Sequence, residues 1–330
     1  MQAQVAVTGA SGFLGGAILR AALASGHRVI ALVRRDCTVE AGWPQHPALN
    51  TRQVVFDDSE SLRAALAGCD VVIHAAAALH GSAAEQRAGT VTATEQLLAA
   101  MDSAGITRLV AISSFSVYDY SALPEHDVLD EQAPLESHPA RRGIYARCKL
   151  QQETLCRAFG ARRGCSTIVL RPGLIFDAQR LWGFFLGRPL GPFGWLALGP
   201  REGLLPLVHV NDVARAAVLA LNSTAPGTQV FNVVDDAPVT RVALLTALRA
   251  VTPCRVLWFP WGLHRRLARA IATWWPRWLG GLPGLLDPVE LAVRFKPLRY
   301  CNQAIRERLG WTPTLHALDA PPQRPQDLPR

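Results

Sequence analysis

The sequence predicts an α/β fold: a doubly wound parallel sheet with helices on both faces, joined to a smaller, mostly helical C-terminal portion. Three observations carry this. An apolar strand runs through a glycine-punctuated turn into an amphipathic segment within the first 24 residues. Apolar, strand-like runs then alternate with segments of helical period, the pattern of parallel strands covered on both sides. Polar residues gather just after those runs, at the strand ends where open α/β sheets hold their ligands.

Taken in order, Val5–Thr8 reads as a buried strand, Gly9-x-x-Gly12-x-x-Gly15 as a turn, and Ala17–Ala24 as a helix. Glycines let a backbone approach a pyrophosphate, and a helix N-terminus offers free amides and a positive dipole end. Arg28–Val33 is the next buried strand and ends in Arg34-Arg35; residues 36–50 read as a loop and Arg52–Phe56 as a third strand. Asp58 or Ser59 suits the N-cap of a helix over Glu60–Ala67. Asp70–Ala77 is a further strand whose end, Ala75-Ala76-Ala77, is small enough for a backbone to pass close to a ribose. His74 within it reads as a satisfied interior histidine. The helix Ala83–Ser103 turns Val91, Thr94, Leu97, Leu98 and Met101 to the core.

Thr107–Ile112 is a strand that delivers Ser113-Ser114-Phe-Ser-Val-Tyr118 at its C-terminal end, and residues 119–142 form an acidic, Pro-containing loop with little regular structure. Tyr145 and Lys149 then stand at i and i+4 on one helix face. They are one of four tyrosines and one of two lysines in the chain, so the pairing is informative. Ser166–Leu170 is another strand, followed by Arg171-Pro-Gly-Leu-Ile-Phe176, and Asn211 or Asp212 suits the N-cap of a helix over Val213–Leu221.

Composition narrows the function classes. The 330 residues are 49% hydrophobic and 18% charged, with no run approaching 18 uninterrupted apolar residues, so a transmembrane helix is not expected. No basic n-region with an apolar h-region opens the chain, and seven scattered cysteines without CxxC or metal-like spacing suit reduced thiols and a cytoplasmic location. No metal site is expected. The formal charge of +8 is almost all arginine spread along the chain, which does not make a nucleic-acid footprint.

The turn at Gly9–Gly15 resembles the TGxxGFxG turn of the short-chain dehydrogenase/reductase superfamily, in its extended, epimerase/dehydratase-like branch. Tyr145 and Lys149 resemble its YxxxK pair, Ser114 stands at its catalytic serine, and Arg171–Phe176, Val208–Ala214, Phe231–Asp235 and Leu309–Pro313 look like its later landmarks. The resemblance, from residue 3 to about 313, implies an NAD(P)-binding Rossmann domain over 1–175 with 207–232 returning to it, a substrate-binding or lid portion over 176–206 and 233–320, and a tail over 321–330. It implies a cofactor site of Gly9, Ser11, Gly12, Phe13, Leu14, Gly15, Ala75, Ala76, Ala77, Tyr145, Lys149, Pro172 and Ile175, and a catalytic set of Ser114, Tyr145 and Lys149. In that set Tyr145 is the acid/base, Lys149 lowers its pKa and holds the nicotinamide ribose, and Ser114 holds the substrate oxygen.

Two places depart from the family pattern. Val55-Phe56 occupies the position of a strand-end Asp-Leu pair at the adenine, leaving Asp57 as the nearest carboxylate, and Thr90 stands where the family usually has Asn. Arg34 occupies the place of the acidic residue that accepts a 2′-hydroxyl; an arginine there pairs instead with a 2′-phosphate, so NADP(H) is the expected cofactor, with Arg35 beside Arg34 and NAD as the alternative.

The apolar insert Leu181–Leu198 falls where substrate loops belong, and Leu257–Leu286 mixes Trp258, Trp261, Trp274, Trp275 and Trp278 with Arg265, Arg266, Arg269 and Arg277. The second stretch reads as a hydrophobic lid or dimer face, or as an interfacial helix giving peripheral membrane contact. Either way the small-molecule substrate is expected to be apolar or lipid-linked. Three functions stay open: an NADP(H)-dependent ketone/alcohol oxidoreductase, a sugar epimerase or dehydratase with tightly held NAD, and a non-catalytic NADP sensor. A homodimer is expected.

Overall fold

Seven parallel strands form the central sheet of the computed structural model, in the order Gly227–Val233, Ser166–Pro172, Arg108–Ile112, Val71–His74, Gln4–Thr8, Arg28–Arg34 and Leu49–Val54. The structure describes residues 2–34, 43–56, 58–181, 183, 185–275 and 284–319. Arg35, Asp57, Arg277, Trp278 and the tail from 321 lie outside them.

The first half of the chain alternates strand and helix: β1 Gln4–Thr8, α1 Phe13–Ala24, β2 Arg28–Arg34, β3 Leu49–Val54, α2 Ser59–Ala65, β4 Val71–His74, α3 Ala83–Arg87, α4 Ala93–Ser103 and β5 Arg108–Ile112. After the short β6 Val128–Leu129 come α5 Ile144–Gly160, β7 Ser166–Pro172 and β8 Leu174–Phe176. The rest of the chain adds β9 Gly187–Pro189, β10 Trp195–Ala197, β11 Leu204–Leu205, β12 Leu207–His209, α6 Val210–Ala220, β13 Gly227–Val233, β14 Val239–Thr240 and α7 Arg241–Val251. It closes with β15 Val256–Trp258, α8 Trp261–Trp274, α9 Pro288–Phe295, β16 Arg299–Tyr300 and α10 Gln303–Leu309.

Side-chain alternation along the strands builds both layers. Val5 and Val7 of β1, Val29 and Ala31 of β2, and Ile168 and Leu170 of β7 pack with α1 and α6 on one face. Ala6, Ile30 and Leu32, one residue out of step, pack with α2, α4 and α5 on the other. A period of two with both phases apolar is what a strand covered on both faces requires.

Several expected boundaries shift. The third strand is Leu49–Val54 rather than 52–56, because β2 pairs Val29 with Leu49 through Arg34 with Val54. As the sheet's edge strand it carries polar Asn50, Thr51, Arg52 and Gln53, so its start has no hydrophobic signal. The strand expected over 70–77 ends at His74, which frees the three alanines to turn beside the glycine loop. The helix expected over 83–103 is broken by a π turn at Ala88–Thr92, though its apolar face is buried as expected. Asp58 caps α2, accepting from the amides of Glu60 and Ser61. The loop 119–142 holds β6, which pairs with β16.

The N-cap of α6 is His209, whose Nδ1 accepts from the Asn211 amide, and not Asn211 or Asp212. Asp212 is buried and clamps the C-terminal segment instead: it accepts from the amides of Thr314 and Leu315 and from the Thr314 hydroxyl, while its carbonyl takes the Trp311 indole N–H. The first turn of α6 and the segment after α10 are thereby joined.

Among the described residues the C-terminal portion holds four helices but also a three-stranded sheet, β15-β10-β9, over a core that includes Phe176, Leu186, Trp195 and Leu244. The stretch 257–286 is accordingly not one helix: it starts in β15 and continues as α8. Among the described residues no helix is long and apolar enough to cross a membrane.

Candidate active site

A cleft of 1640 Å³ opens along the C-terminal ends of the sheet strands, where adjacent loops part and leave a crevice. One end is built by backbone. Gly9 turns at φ +68°, and a Cβ there would lie 2.9 Å from the backbone of Ala76; a Cβ on Gly15 would overlap the Gly9 carbonyl. No side chain caps α1 and its first turn carries no acid, while Gly12, Phe13 and Leu14 line the cleft. Open amides, a positive dipole end and no competing carboxylate fit a pyrophosphate. Gly9, Ser11, Gly12, Phe13, Leu14, Gly15, Arg34, Phe56, Ala75, Ala76, Ala77, Pro172 and Ile175 all reach this cleft. Arg34 ends β2 with its side chain exposed.

The middle of the cleft holds Ser114, Tyr145 and Lys149. Ser114 follows β5 and accepts from the Ser116 amide at 3.1 Å, a short 3₁₀ turn fixing its hydroxyl near enough to Tyr145 to act on the phenol. Tyr145 and Lys149 come from the first turns of α5. Two influences act on the Tyr145 phenol. Burial pushes that phenol above its ordinary value, and the opposing pull comes from Ser114. Lys149 is 3% exposed and donates to the Ile112 carbonyl at 2.6 Å and to Gln152 Oε1 at 2.5 Å. Its own burial lowers it to about 8, so it is charged at neutral pH but close to losing its proton.

Beneath these residues runs a buried polar network. Gln152 joins Lys149 to His74, whose Nδ1 and Nε2 also meet the hydroxyls of Thr8 and Thr94 at 2.7 and 2.8 Å. His74 is the satisfied interior histidine expected, held neutral by a pKa that burial pushes down to about 3. Thr90 accepts from the Ala78 amide. Glu153 accepts from Ser113 at 2.6 Å and from Arg171 Nε at 3.0 Å, and Arg171 reaches the Tyr118 hydroxyl at 2.9 Å. One carboxylate therefore ties α5 to the ends of β5 and β7, the three elements that carry Tyr145, Ser114 and Pro172. Gln152 and Glu153 were legible only as continuations of the Tyr145–Lys149 face, at i+3 and i+4 from Lys149.

The far end of the cleft is formed by Leu79, Phe185, Pro206, Arg241, Val293 and Tyr300, from segments widely separated in sequence. Of these only Phe185 lies in the insert expected to meet substrate.

The model of the NAD-dependent epimerase/dehydratase family matches residues 5–233. The chain belongs to that family. Within it the chain is an extended short-chain dehydrogenase/reductase-type, NAD(P)-dependent enzyme. A 4-hydroxy-2-methyl-3-oxo-4-farnesyl-3,4-dihydroquinoline-1-oxide ketoreductase from Stigmatella aurantiaca is 34% identical over 253 residues, 73% of this chain and 71% of that protein. A 3 beta-hydroxysteroid dehydrogenase/Delta 5-->4-isomerase from Mycobacterium tuberculosis is 26% identical over 329 residues, 94% and 86%. Among solved structures, MoeE5 in complex with UDP-glucuronic acid and NAD superposes with a TM-score of 0.69 at 22% identity, covering 96% of this chain and 95% of that one. At that identity the match speaks for the fold.

Proposed function

We propose that this family member is an NADP(H)-dependent oxidoreductase that interconverts a ketone and a secondary alcohol on an apolar or lipid-linked substrate. The observation that carries it is the convergence of Ser114, Tyr145 and Lys149 on the cleft whose other end is the glycine turn and Arg34. Bound NADPH supplies the hydride. Tyr145, kept protonated by burial, donates its proton to the carbonyl oxygen as charge develops there. Ser114 hydrogen-bonds the same oxygen and holds it against the phenol. Lys149, charged below about pH 8, stabilises the phenolate left behind. Arg34 pairs with the 2′-phosphate. Leu79, Phe185 and Val293 give the substrate end its apolar character, in keeping with relatives named for a farnesylated quinoline oxide and a steroid.

The surface for peripheral membrane or dimer contact is α8, which exposes Leu263, Leu267 and Trp274 beside Arg266 and Arg269 and contains no acidic residue.

The test is Tyr145→Phe. Folded and still binding NADPH, it is expected to lose about 10²–10⁴ in turnover of an apolar ketone; near-normal turnover overturns the reading. NAD⁺ found tightly held by the purified protein would overturn the Arg34 assignment and favour the epimerase or dehydratase chemistry.

A further inference from the structure

Arg241 opens α7 and lines the cleft, yet it is 2% exposed. A buried guanidinium ordinarily has a carboxylate beside it. Among the described residues none acts on this one: burial draws its pKa down to about 10, opposed by the Tyr300 phenol, so it stays charged at neutral pH. Its Nε and Nη2 donate to the carbonyls of Phe185 and Arg294 at 3.3 and 2.6 Å, and its buried Nη1 has no hydrogen-bond partner among the described residues. The other cleft arginines beyond the nucleotide end are paired, Arg142 with Glu136, Arg180 with Asp177 and Arg294 with Glu290.

Its place in the fold adds to the cost. It is the first residue of α7, whose first turn contains no acid, and a helix N-terminus disfavours a cation. The surroundings are nevertheless shaped to keep it. Its guanidinium lies 5.4 Å from the centre of the Phe295 ring, and Gly199 and Gly203 leave the space that a Cβ on either would take from it. A planar cation held without a counter-ion, with a donor to spare, is preorganised for an anion supplied from outside the chain.

We propose that Arg241 is a carboxylate receptor at the substrate end of the cleft, and that the substrate is an apolar keto acid rather than a neutral ketone. This rests on the oxidoreductase reading above and names its substrate class. The guanidinium fork matches a carboxylate, and the resulting pair gains strength from the low-dielectric wall of the cleft. Arg241 takes no part in proton or hydride transfer; it selects and positions.

The test compares decanoate with 1-decanol, ligands of equal chain length differing at the head group, by calorimetric titration into the full-length protein with saturating NADP⁺. Decanoate is expected to bind at least tenfold tighter. Arg241→Gln is expected to erase that preference, and Arg241→Lys to retain part of it. Equal affinities in the wild type, no decanoate binding, or a folded Arg241→Gln that keeps the preference each overturn the proposal. Should Arg241→Gln fail to fold, the wild-type comparison still decides. Neither arm involves turnover, so this result is separate from that of Tyr145→Phe, which alone decides the oxidoreductase reading.

Discussion

The two ends of the cleft are built by different means. At the nucleotide end the contacts are backbone: a glycine turn, the N-terminus of α1 and three alanines after β4, all set on adjacent parallel strands. At the substrate end they are side chains from Phe185, Pro206, Arg241, Val293 and Tyr300, brought together by small sheets and helices outside the main layer. The first end tolerates almost no change in shape, and asks for a particular side chain chiefly at Arg34. The second is generous in shape and specific in chemistry, which is how one fold serves many substrates.

That contrast can be broken most sharply at Gly15. A Cβ there overlaps the Gly9 carbonyl, so Gly15→Ala is expected to open the turn and weaken NADPH binding beyond measurement by fluorescence titration, with circular dichroism unchanged. Next comes the network beneath Ser114, Tyr145 and Lys149. Glu153→Gln leaves Arg171 buried without its counter-charge and is expected to cost about 3–5 kcal/mol in urea denaturation. Cofactor choice is a smaller effect: Arg34→Ser removes the charge-assisted contact proposed with a 2′-phosphate, worth about 1.5–3 kcal/mol, so NADPH affinity is expected to fall roughly 10–100-fold while NADH affinity holds.

A pH profile sharpens the comparison without a substitution. Because burial sets Lys149 at about 8, its charge is present below that pH and lost as pH rises through it. Ketone reduction should therefore decline above about pH 8, and Lys149→Arg, whose charge persists, should move that limb out of range. The smallest effect is expected at Trp274, which is 85% exposed. Trp274→Ala should leave the denaturation midpoint within about 0.5 kcal/mol of wild type, while reducing co-sedimentation with anionic vesicles if α8 meets a membrane.

Much of the site was legible before any fold was seen, because its parts are local. Gly9–Gly15 share one turn, and Tyr145 and Lys149 share one helix face, so spacing alone set them together. The edge strand β3 was misplaced because its polar start carries no periodicity, and the cap of α6 was misread because Asp212, a good N-cap by type, serves a partner 102 residues away. Nothing in the sequence around Arg241 separates it from the many other arginines of the chain. Its lack of a carboxylate is a property of what surrounds it.

Local covalent order determined the strand–turn–helix units, the order in which parallel strands and helices alternate, and the serine, tyrosine and lysine offered to the chemistry. Hydrophobic period and glycine conformation act over a few residues, and a chain carries that information on its face. Tertiary structure decided which strand edge received β13, which buried charge found a partner, that Lys149 rests against Ile112 and Gln152, and that Arg241 stands at the substrate end with no carboxylate beside it among the described residues. Those outcomes depend on desolvation and on contacts between segments far apart in sequence, quantities that exist only once the chain has closed on itself.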